Sequence, residues 1–345
     1  MEKKGYQVAV VGATGMVGKK MIEVLLRRNF PMTGLKLLAS ARSAGTKIDI
    51  NGREVPVEEA CPEAFTGVDF AFFSAGGGVS TRLAPEAVKR GAIVIDNSSA
   101  FRMQKGVPLV IPEVNPQEAF KHKGLIANPN CSTTQMVMAL YPLHREAGLK
   151  RVVASTYQAV SGAGREAVGE LRSQCWASLT GEKIVAERIP YKDAGRHHQI
   201  AFSAVPQLDV FEENGYTKEE LKMVHETKKI LGTPELKVTA TCVRIPVYCG
   251  HSESLNLEFE RSLSPQRARE ILSQFPGVVV IDEPENHLYP TPVEADGRDE
   301  VFVGRIRADQ TVPHGLNMWV VADNILKGAA TNSVQIAELL LEDDR

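Results

Sequence analysis

The residue best placed to do covalent chemistry is Cys131, within Pro129-Asn130-Cys131-Ser132-Thr133-Thr134-Gln135. The stretch follows a strand-like Leu125-Ile126-Ala127 and opens a helical stripe of Met136, Leu140 and Leu143. Cys131 therefore falls near a helix N-terminus, where free N–H groups and the helix dipole favour a thiolate. Pro142, late in the same pattern, is expected to kink or end the helix. A lone cysteine is commonly a small core residue. Cys61, Cys175, Cys242 and Cys249 keep that reading, whereas polar neighbours and the helix start set Cys131 apart. A thiolate can trap a carbonyl as a thiohemiacetal or an activated acyl group as a thioester, and hydride transfer links these two oxidation levels. Such a site needs a proton donor or acceptor, most often histidine. Of eight histidines, His251 follows a strand-like stretch from Val238 to Val247 and a break at Gly250. His197-His198 is the competing pair and reads as a solvated loop.

A hydride donor has its own signature near the N-terminus. Gly12-Ala13-Thr14-Gly15-Met16-Val17-Gly18 comes directly after Val8-Ala9-Val10-Val11 and opens a helix. The spacing, G-x-x-G-x-x-G, is a variant of the dinucleotide fingerprint and gains weight from its strand–turn–helix context. Glycines let the backbone approach a pyrophosphate, and the helix start offers N–H donors. At the end of the second strand, Ala39-Ser40-Ala41-Arg42-Ser43 holds no acid for ribose hydroxyls. Ser40, Arg42 and Ser43 suit a 2′-phosphate, so NADP is expected rather than NAD.

The elements that must position these groups fall into two textures. Up to residue 130, buried runs (Val8 to Val11, Leu35 to Ala39, Phe70 to Ser74, Ile93 to Ile95) alternate with helical patterns, which predicts an α/β parallel, doubly wound sheet. Beyond residue 131, Leu255-Asn256-Leu257-Glu258-Phe259-Glu260 alternates as a strand of an antiparallel or mixed sheet does. Thr217-Lys218-Glu219-Glu220 is a capping box opening a helix through about Leu231. Residues 276–300, with four prolines, read as a long loop, and Asn324 to Leu341 as a helix. With 345 residues, 43% apolar, two domains are expected. Net charge of −2 gives no footprint for nucleic acid or an acidic membrane. The N-terminus lacks the apolar region of a signal peptide, no run is long enough to span a bilayer, and the cysteines lack zinc or disulfide spacing. A reduced, cytoplasmic protein without a metal is the expectation.

Together these motifs resemble the aspartate-semialdehyde dehydrogenase family over essentially the whole length. The resemblance is carried by the glycine turn, Asp96-Asn97-Ser98-Ser99-Ala100-Phe101-Arg102, Asn128-Pro129-Asn130-Cys131-Ser132-Thr133 and Thr156-Tyr157-Gln158-Ala159-Val160-Ser161-Gly162-Ala163-Gly164. It continues in Arg244-Ile245-Pro246-Val247-Tyr248-Cys249-Gly250-His251-Ser252 and in Ala322 to Ala330.

The resemblance implies a Rossmann-type dinucleotide-binding domain over about residues 1–130, rejoined by the chain from about 325. It also implies an α+β catalytic and dimerisation domain over 131–324, and a homodimer or homotetramer. Cys131 would form the thioester, His251 would be the acid/base, and Gln158 would place the substrate beside the sulfur. Arg102 and Lys222 would bind the acyl phosphate, Arg244 the α-carboxylate and Glu219 the ammonium, with Asn130 also at the substrate. Glu219 and Lys222, three apart on one helix, share a face; Glu220 is the alternative acid but holds the capping-box position. Gly12, Thr14, Gly15, Met16, Val17, Ser40, Arg42 and Ser43 would bind NADP, with Ser161, Gly162 and Asn324 at its nicotinamide half. The implied reaction converts L-aspartyl 4-phosphate to L-aspartate 4-semialdehyde, a step feeding lysine, threonine and methionine synthesis. An N-acetyl-γ-glutamyl-phosphate reductase and a non-catalytic NADP-binding paralogue are the rival readings.

Overall fold

The computed structural model describes residues 5–342. Residues 1–4, read above for a leader, and the last three of the chain lie outside the described residues. The chain divides into two compact units, Met1–Asn130 with Ala329–Arg345, and Cys131–Gly328.

The first unit is built on strands β1 (Tyr6–Val11), β2 (Met32–Ala39), β3 (Lys47–Ile50), β4 (Arg53–Glu59), β5 (Phe70–Phe73), β6 (Ile93–Asp96) and β7 (Leu125–Ala127). Their order is β3-β4-β2-β1-β5-β6-β7, and every neighbouring pair is parallel except the β3–β4 hairpin. Helices α1 (Met16–Arg27) and α2 (Gly77–Lys89) make the β1-to-β2 and β5-to-β6 crossovers. A strand covered on both faces must be apolar throughout. Phe70-Ala71-Phe72-Phe73 meets that condition: all four are buried, and Phe73 stacks on Phe65 with ring centroids 5.7 Å apart. Each such phenylalanine contributes about 1.5–3 kcal/mol. In α1 the stripe Met21, Ile22, Val24 and Leu25 is buried against the sheet. Connections leave β1 towards β2 on one side and lie against β5 on the other, which opens a crevice at the carboxyl ends of these strands.

The second unit carries a six-stranded mixed sheet: β8 (Leu149–Gln158), β9 (Lys237–Arg244), β10 (His251–Phe259), β11 (Val278–Val280), β12 (Val301–Asp309) and β13 (Gly315–Ala322). Its order is β11-β12-β13-β10-β8-β9, antiparallel in the middle and parallel at both edges. Its helices are α3 (Cys131–Ala147), α4 (Arg165–Thr180), α5 (Lys218–Leu231), α6 (Pro265–Ser273) and the short α7 (Pro292–Ala295). Of these, α3 packs on β8, β10, β12 and β13, α5 on β9, and α6 on β11 and β12. The alternation in β10 is half-burial: Leu255, Leu257 and Phe259 are buried, while Ser254, Asn256 and Glu258 are partly exposed. The final helix, α8 (Thr331–Glu342), belongs to the first unit. There Asn332 donates to Asn128 Oδ1 at 2.7 Å, and Arg28 grips Glu338 through two bonds of 2.8 and 2.6 Å.

Three sequence expectations are corrected. Residues 276–300 are not one loop: Val278–Val280 pairs with β12, and a capping box of Thr291 and Glu294 opens α7. The β-branched run outweighs the prolines, which fall beside the elements or at a helix start, where proline is tolerated. Pro142 does not end α3, which runs on to Ala147. Burial of nearly the whole helix holds it despite the missing N–H. The C-terminal helix does not begin at Asn324; a π-helical turn, Leu326–Ala330, precedes α8.

Candidate active site

Three neighbouring strands of the second unit bring Arg244, Gln158 and His251 into one row. Arg244, the last residue of β9, is in register with Gln158, the last of β8. His251, the first residue of β10, lies one position beyond the Ser252–Tyr157 pair and so flanks Gln158 from the other side. All three side chains are buried. Residues 242, 156 and 253 form the next row on the same face, because strand side chains repeat every second position. Cys131 is the first residue of α3, as its surroundings predicted, and is half-buried. A Cβ on Gly328 would stand 2.7 Å from the Cys131 Cβ, so only glycine fits beside the sulfur-bearing carbon.

The backbone of one residue, Ala159, holds the two ends of the row. The Ala159 N–H donates to His251 Nδ1 at 3.0 Å, and the Ala159 carbonyl accepts from an Arg244 Nη1 at 2.6 Å. An imidazole nitrogen that accepts cannot carry the proton, so neutral His251 keeps its proton on Nε2. Among the described residues Nε2 has no hydrogen-bond partner. Burial and then the Arg244 charge push the imidazole down to about 3, with Glu219 opposing. His251 is thus a neutral donor at physiological pH. Arg244 is buried, and among the described residues its Nε is unpartnered and no carboxylate forms an ion pair with it. Burial lowers its affinity for a proton, with Glu219 and Cys131 acting against that. A buried guanidinium without a counter-ion is costly, and an anionic ligand supplies what is missing. Gly162 closes this corner: a Cβ there would lie 3.0 Å from Arg244 and 3.2 Å from the His251 ring.

Gln158 Nε2 bonds to the hydroxyl of Ser132 and reaches Glu219 at 3.4 Å. Glu219 pairs in turn with Lys222 at 3.1 Å, as three-residue spacing on α5 requires. Lys222 also meets Asp209 at 3.0 Å. Burial works against its charge, but Glu219 and Asp209 outweigh it and raise the ammonium above its ordinary range. Glu220 is structural, closing the capping box with Thr217 and accepting the Cys242 N–H at 2.9 Å. Asn324 Oδ1 accepts from Ser161 Oγ at 3.0 Å and from Gly250 N at 3.1 Å, which turns its amide nitrogen away from these donors. Cys249, Asp296 and Asp323 form one cluster of metal-ligand type among the described residues, within 4.8 Å of one another. Asp323 already accepts the N–H groups of Gly297, Ile325 and Leu326, so the cluster reads as a loop anchor. Burial and the two carboxylates hold Cys249 as a thiol.

In the first unit, Arg102 is buried, donating from Nε to Asn128 O at 2.9 Å and from Nη2 to Asn97 O at 2.7 Å. Asn130, also buried, ends this unit. A cavity of about 390 Å³ opens at the carboxyl ends of β1, β2, β4 and β5. Gly12, Thr14, Gly15, Ser40, Arg42 and Ser43 line it, whereas Met16 and Val17 sit in the first turn of α1 outside its lining. Gly12 has a φ of +85°, and a Cβ on it would lie 2.9 Å from Ser74 backbone atoms; one on Gly18 would lie 2.1 Å from Gly12 O. The first and last glycines thus let α1 dock on the turn and leave the cavity floor bare, which fits a dinucleotide pyrophosphate. Sequence reasoning missed two charged groups here, Glu59 from the end of β4 and Arg82 from α2. Glu59 is in register with Ala39, so a hairpin inserted after β2 supplies an acid that β2 itself lacks. It also missed Gln135, whose only signal was its place one helical turn after Cys131.

Residues 7–122 match the semialdehyde dehydrogenase NAD binding domain, and residues 140–327 match the semialdehyde dehydrogenase dimerisation domain. An aspartate-semialdehyde dehydrogenase of Bacillus subtilis (strain 168) is 57% identical over 338 residues, covering 98% of each chain. Among solved structures, aspartate semialdehyde dehydrogenase II of Vibrio cholerae, complexed with ASA, superposes with a TM-score of 0.93 at 44% identity over 99% of each chain. A Candida albicans aspartate semialdehyde dehydrogenase with NADP gives a TM-score of 0.74 at 28% identity, covering 97% of this chain and 98% of that one. The chain belongs to the aspartate-semialdehyde dehydrogenase family. Among the described residues, no helix is long and apolar enough to cross a membrane.

Proposed function

We propose that the chain converts L-aspartyl 4-phosphate to L-aspartate 4-semialdehyde and phosphate, with NADPH as reductant, in cytoplasmic amino-acid biosynthesis. The observation that carries the reading is the buried Arg244, without a carboxylate ion pair among the described residues, in one row with Gln158 and His251. Its guanidinium fork suits the substrate α-carboxylate. The Cys131 thiolate, favoured at the start of α3, attacks the acyl carbon, and phosphate leaves as the thioester forms. Gln158, held by Ser132 and Glu219, places the acyl group. The nicotinamide, when bound, supplies the hydride that takes the thioester to the aldehyde level. The His251 Nε2–H donates a hydrogen bond to the carbonyl oxygen as negative charge develops there, and the tetrahedral thiohemiacetal oxyanion then collapses, its C–S bond breaking to release the aldehyde and the thiolate while the ring keeps its proton.

Glu219 is assigned to the substrate ammonium, and Arg102 and Lys222 to the phosphate. Lys222 keeps two carboxylate partners, Glu219 and Asp209, which offset its charge. The turn at Gly12, Thr14 and Gly15 takes the pyrophosphate, and Ser40, Arg42 and Ser43 the 2′-phosphate. Ser161, Gly162 and Asn324 take the nicotinamide half. The family model's dimerisation domain supports a homodimer or homotetramer. The deciding experiment follows NADPH oxidation with aspartyl phosphate and, separately, with N-acetyl-γ-glutamyl phosphate. Turnover of the first is expected; turnover of the second alone would overturn the reading.

A further inference from the structure

Directly behind the catalytic row lies a carboxyl that the reaction does not use. Glu253 is two residues after His251 on β10, faces the same side of the sheet, and is 0% exposed. Among the described residues it makes no ion pair, and neither carboxyl oxygen meets a partner in good hydrogen-bond geometry, although the Gln135 side chain is near enough to act on it. Its cross-strand neighbours are Thr156 on one side and Val320 on the other. The amide of Gln135, one turn after Cys131 on α3, faces it. Gln135 Nε2 donates to the His251 main-chain oxygen at 3.3 Å, while its Oε1 is unpartnered, as is Thr156 Oγ1.

We propose that Glu253 is a neutral positioning residue which, through Gln135, holds the His251 main chain, and so its imidazole, in place against the Cys131 helix. A carboxylate only accepts, and here it would be buried without a cation. A protonated carboxyl has one O–H to donate, which suits the orphaned Gln135 Oε1, and its carbonyl oxygen can accept from the Gln135 amide N–H or the Thr156 hydroxyl. Burial pushes the carboxyl well above its usual range, with Gln135 opposing. Neutrality also serves the site: a negative charge behind His251 would favour imidazolium and spoil a ring that works as a neutral Nε2–H donor.

The inference rests on the reading of Cys131 and His251 as the reacting pair. It is tested with E253Q, a neutral isostere, and E253M, which fills the space without hydrogen bonds. E253Q is expected to keep kcat within about threefold of wild type, with an unmoved pH profile of Cys131 alkylation by iodoacetamide. E253M is expected to lower kcat by roughly ten- to a hundredfold with KM for the semialdehyde nearly constant, the cost of a misplaced reacting group. Infrared difference spectra at neutral pH should show a protonated-carboxyl band in wild type that E253Q lacks. This readout needs neither turnover nor a folded E253M. Absence of that band, a shifted alkylation profile in E253Q, or full kcat in E253M would each overturn the proposal. Turnover surviving in Cys131→Ala would instead sink the reading it rests on, leaving the band unaffected.

Discussion

The N–H of Ala159 points at Nδ1 of His251 from 3.0 Å, and that one bond decides which nitrogen of the ring carries a proton. ¹⁵N spectra of labelled histidine should therefore show His251 as the Nε2–H tautomer across neutral pH. With the imidazole at about 3, no titration of this ring is expected near 6.5. The linkage runs one way: between the unfolded value and about 3, the unfolded chain binds a proton that the folded one refuses. His251 therefore costs no stability above about pH 6.5, and stability falls as pH drops from there towards 3, by as much as ~4–5 kcal/mol. His251→Asn should flatten the acid side of a plot of Tm against pH. An equally steep loss in the variant would show that other groups cause it.

Cys131→Ala is expected to abolish turnover and leave 2′,5′-ADP binding intact. The proposed nucleophile belongs to α3, whereas the cavity around Gly12 is built by β1, β2, β4 and β5. Wild-type turnover would end the thioester mechanism.

Arg244→Lys keeps the charge and loses the fork. A ten- to few-hundredfold fall in kcat/KM is expected, matching about 1.5–3 kcal/mol of charge-assisted bonding. Among the described residues no acid forms an ion pair with Arg244, so a merely structural ion pair is not what the change removes. A melting loss with unaltered kinetics would refute the carboxylate assignment.

Gly328→Ala tests the packing behind the nucleophile. The new methyl would press on the Cys131 Cβ from 2.7 Å, and displacement of a reacting atom by about 1 Å can cost on the order of a hundredfold in rate. Dinucleotide affinity should hold. Unchanged kcat would mean that the π-helical turn yields instead.

At the cavity mouth, Arg42→Glu should weaken 2′,5′-ADP far more than 5′-AMP, since only the former carries the phosphate it repels. Glu59→Gln should act in the opposite sense, tightening 2′,5′-ADP, because it removes a like charge from the same wall. Equal effects on both nucleotides would mean that neither side chain reads the 2′-phosphate.

The legible parts of this molecule were those whose physics is local. A glycine turn between a buried strand and an amphipathic stripe, Cys131 at a helix start, and the Thr217–Glu220 capping box each declare themselves within a few residues, and the structure has each of them in place. Arg244, Gln158 and His251 stood out through family motifs, but nothing local told that they share a row; cross-strand register did that. Glu253 and Glu59 were silent for the same reason. One reads as an ordinary polar residue of an alternating strand, the other as the charged end of a hairpin. Val278–Val280 was hidden by its prolines, because a three-residue strand exists only through its partner β12.

The return of α8 to the first unit has a consequence for how the chain is made. On a ribosome, β1 to β7 emerge first, but Asn332, Ser333 and Glu338, the partners of Asn128, Asn97 and Arg28, are synthesised only after the whole of the second unit. The nucleotide-binding unit thus waits, its α8-facing flank uncovered, through translation of residues 131–328. That interval is when a chaperone has most to protect, and a premature stop shortly before Thr331 would leave it permanently open.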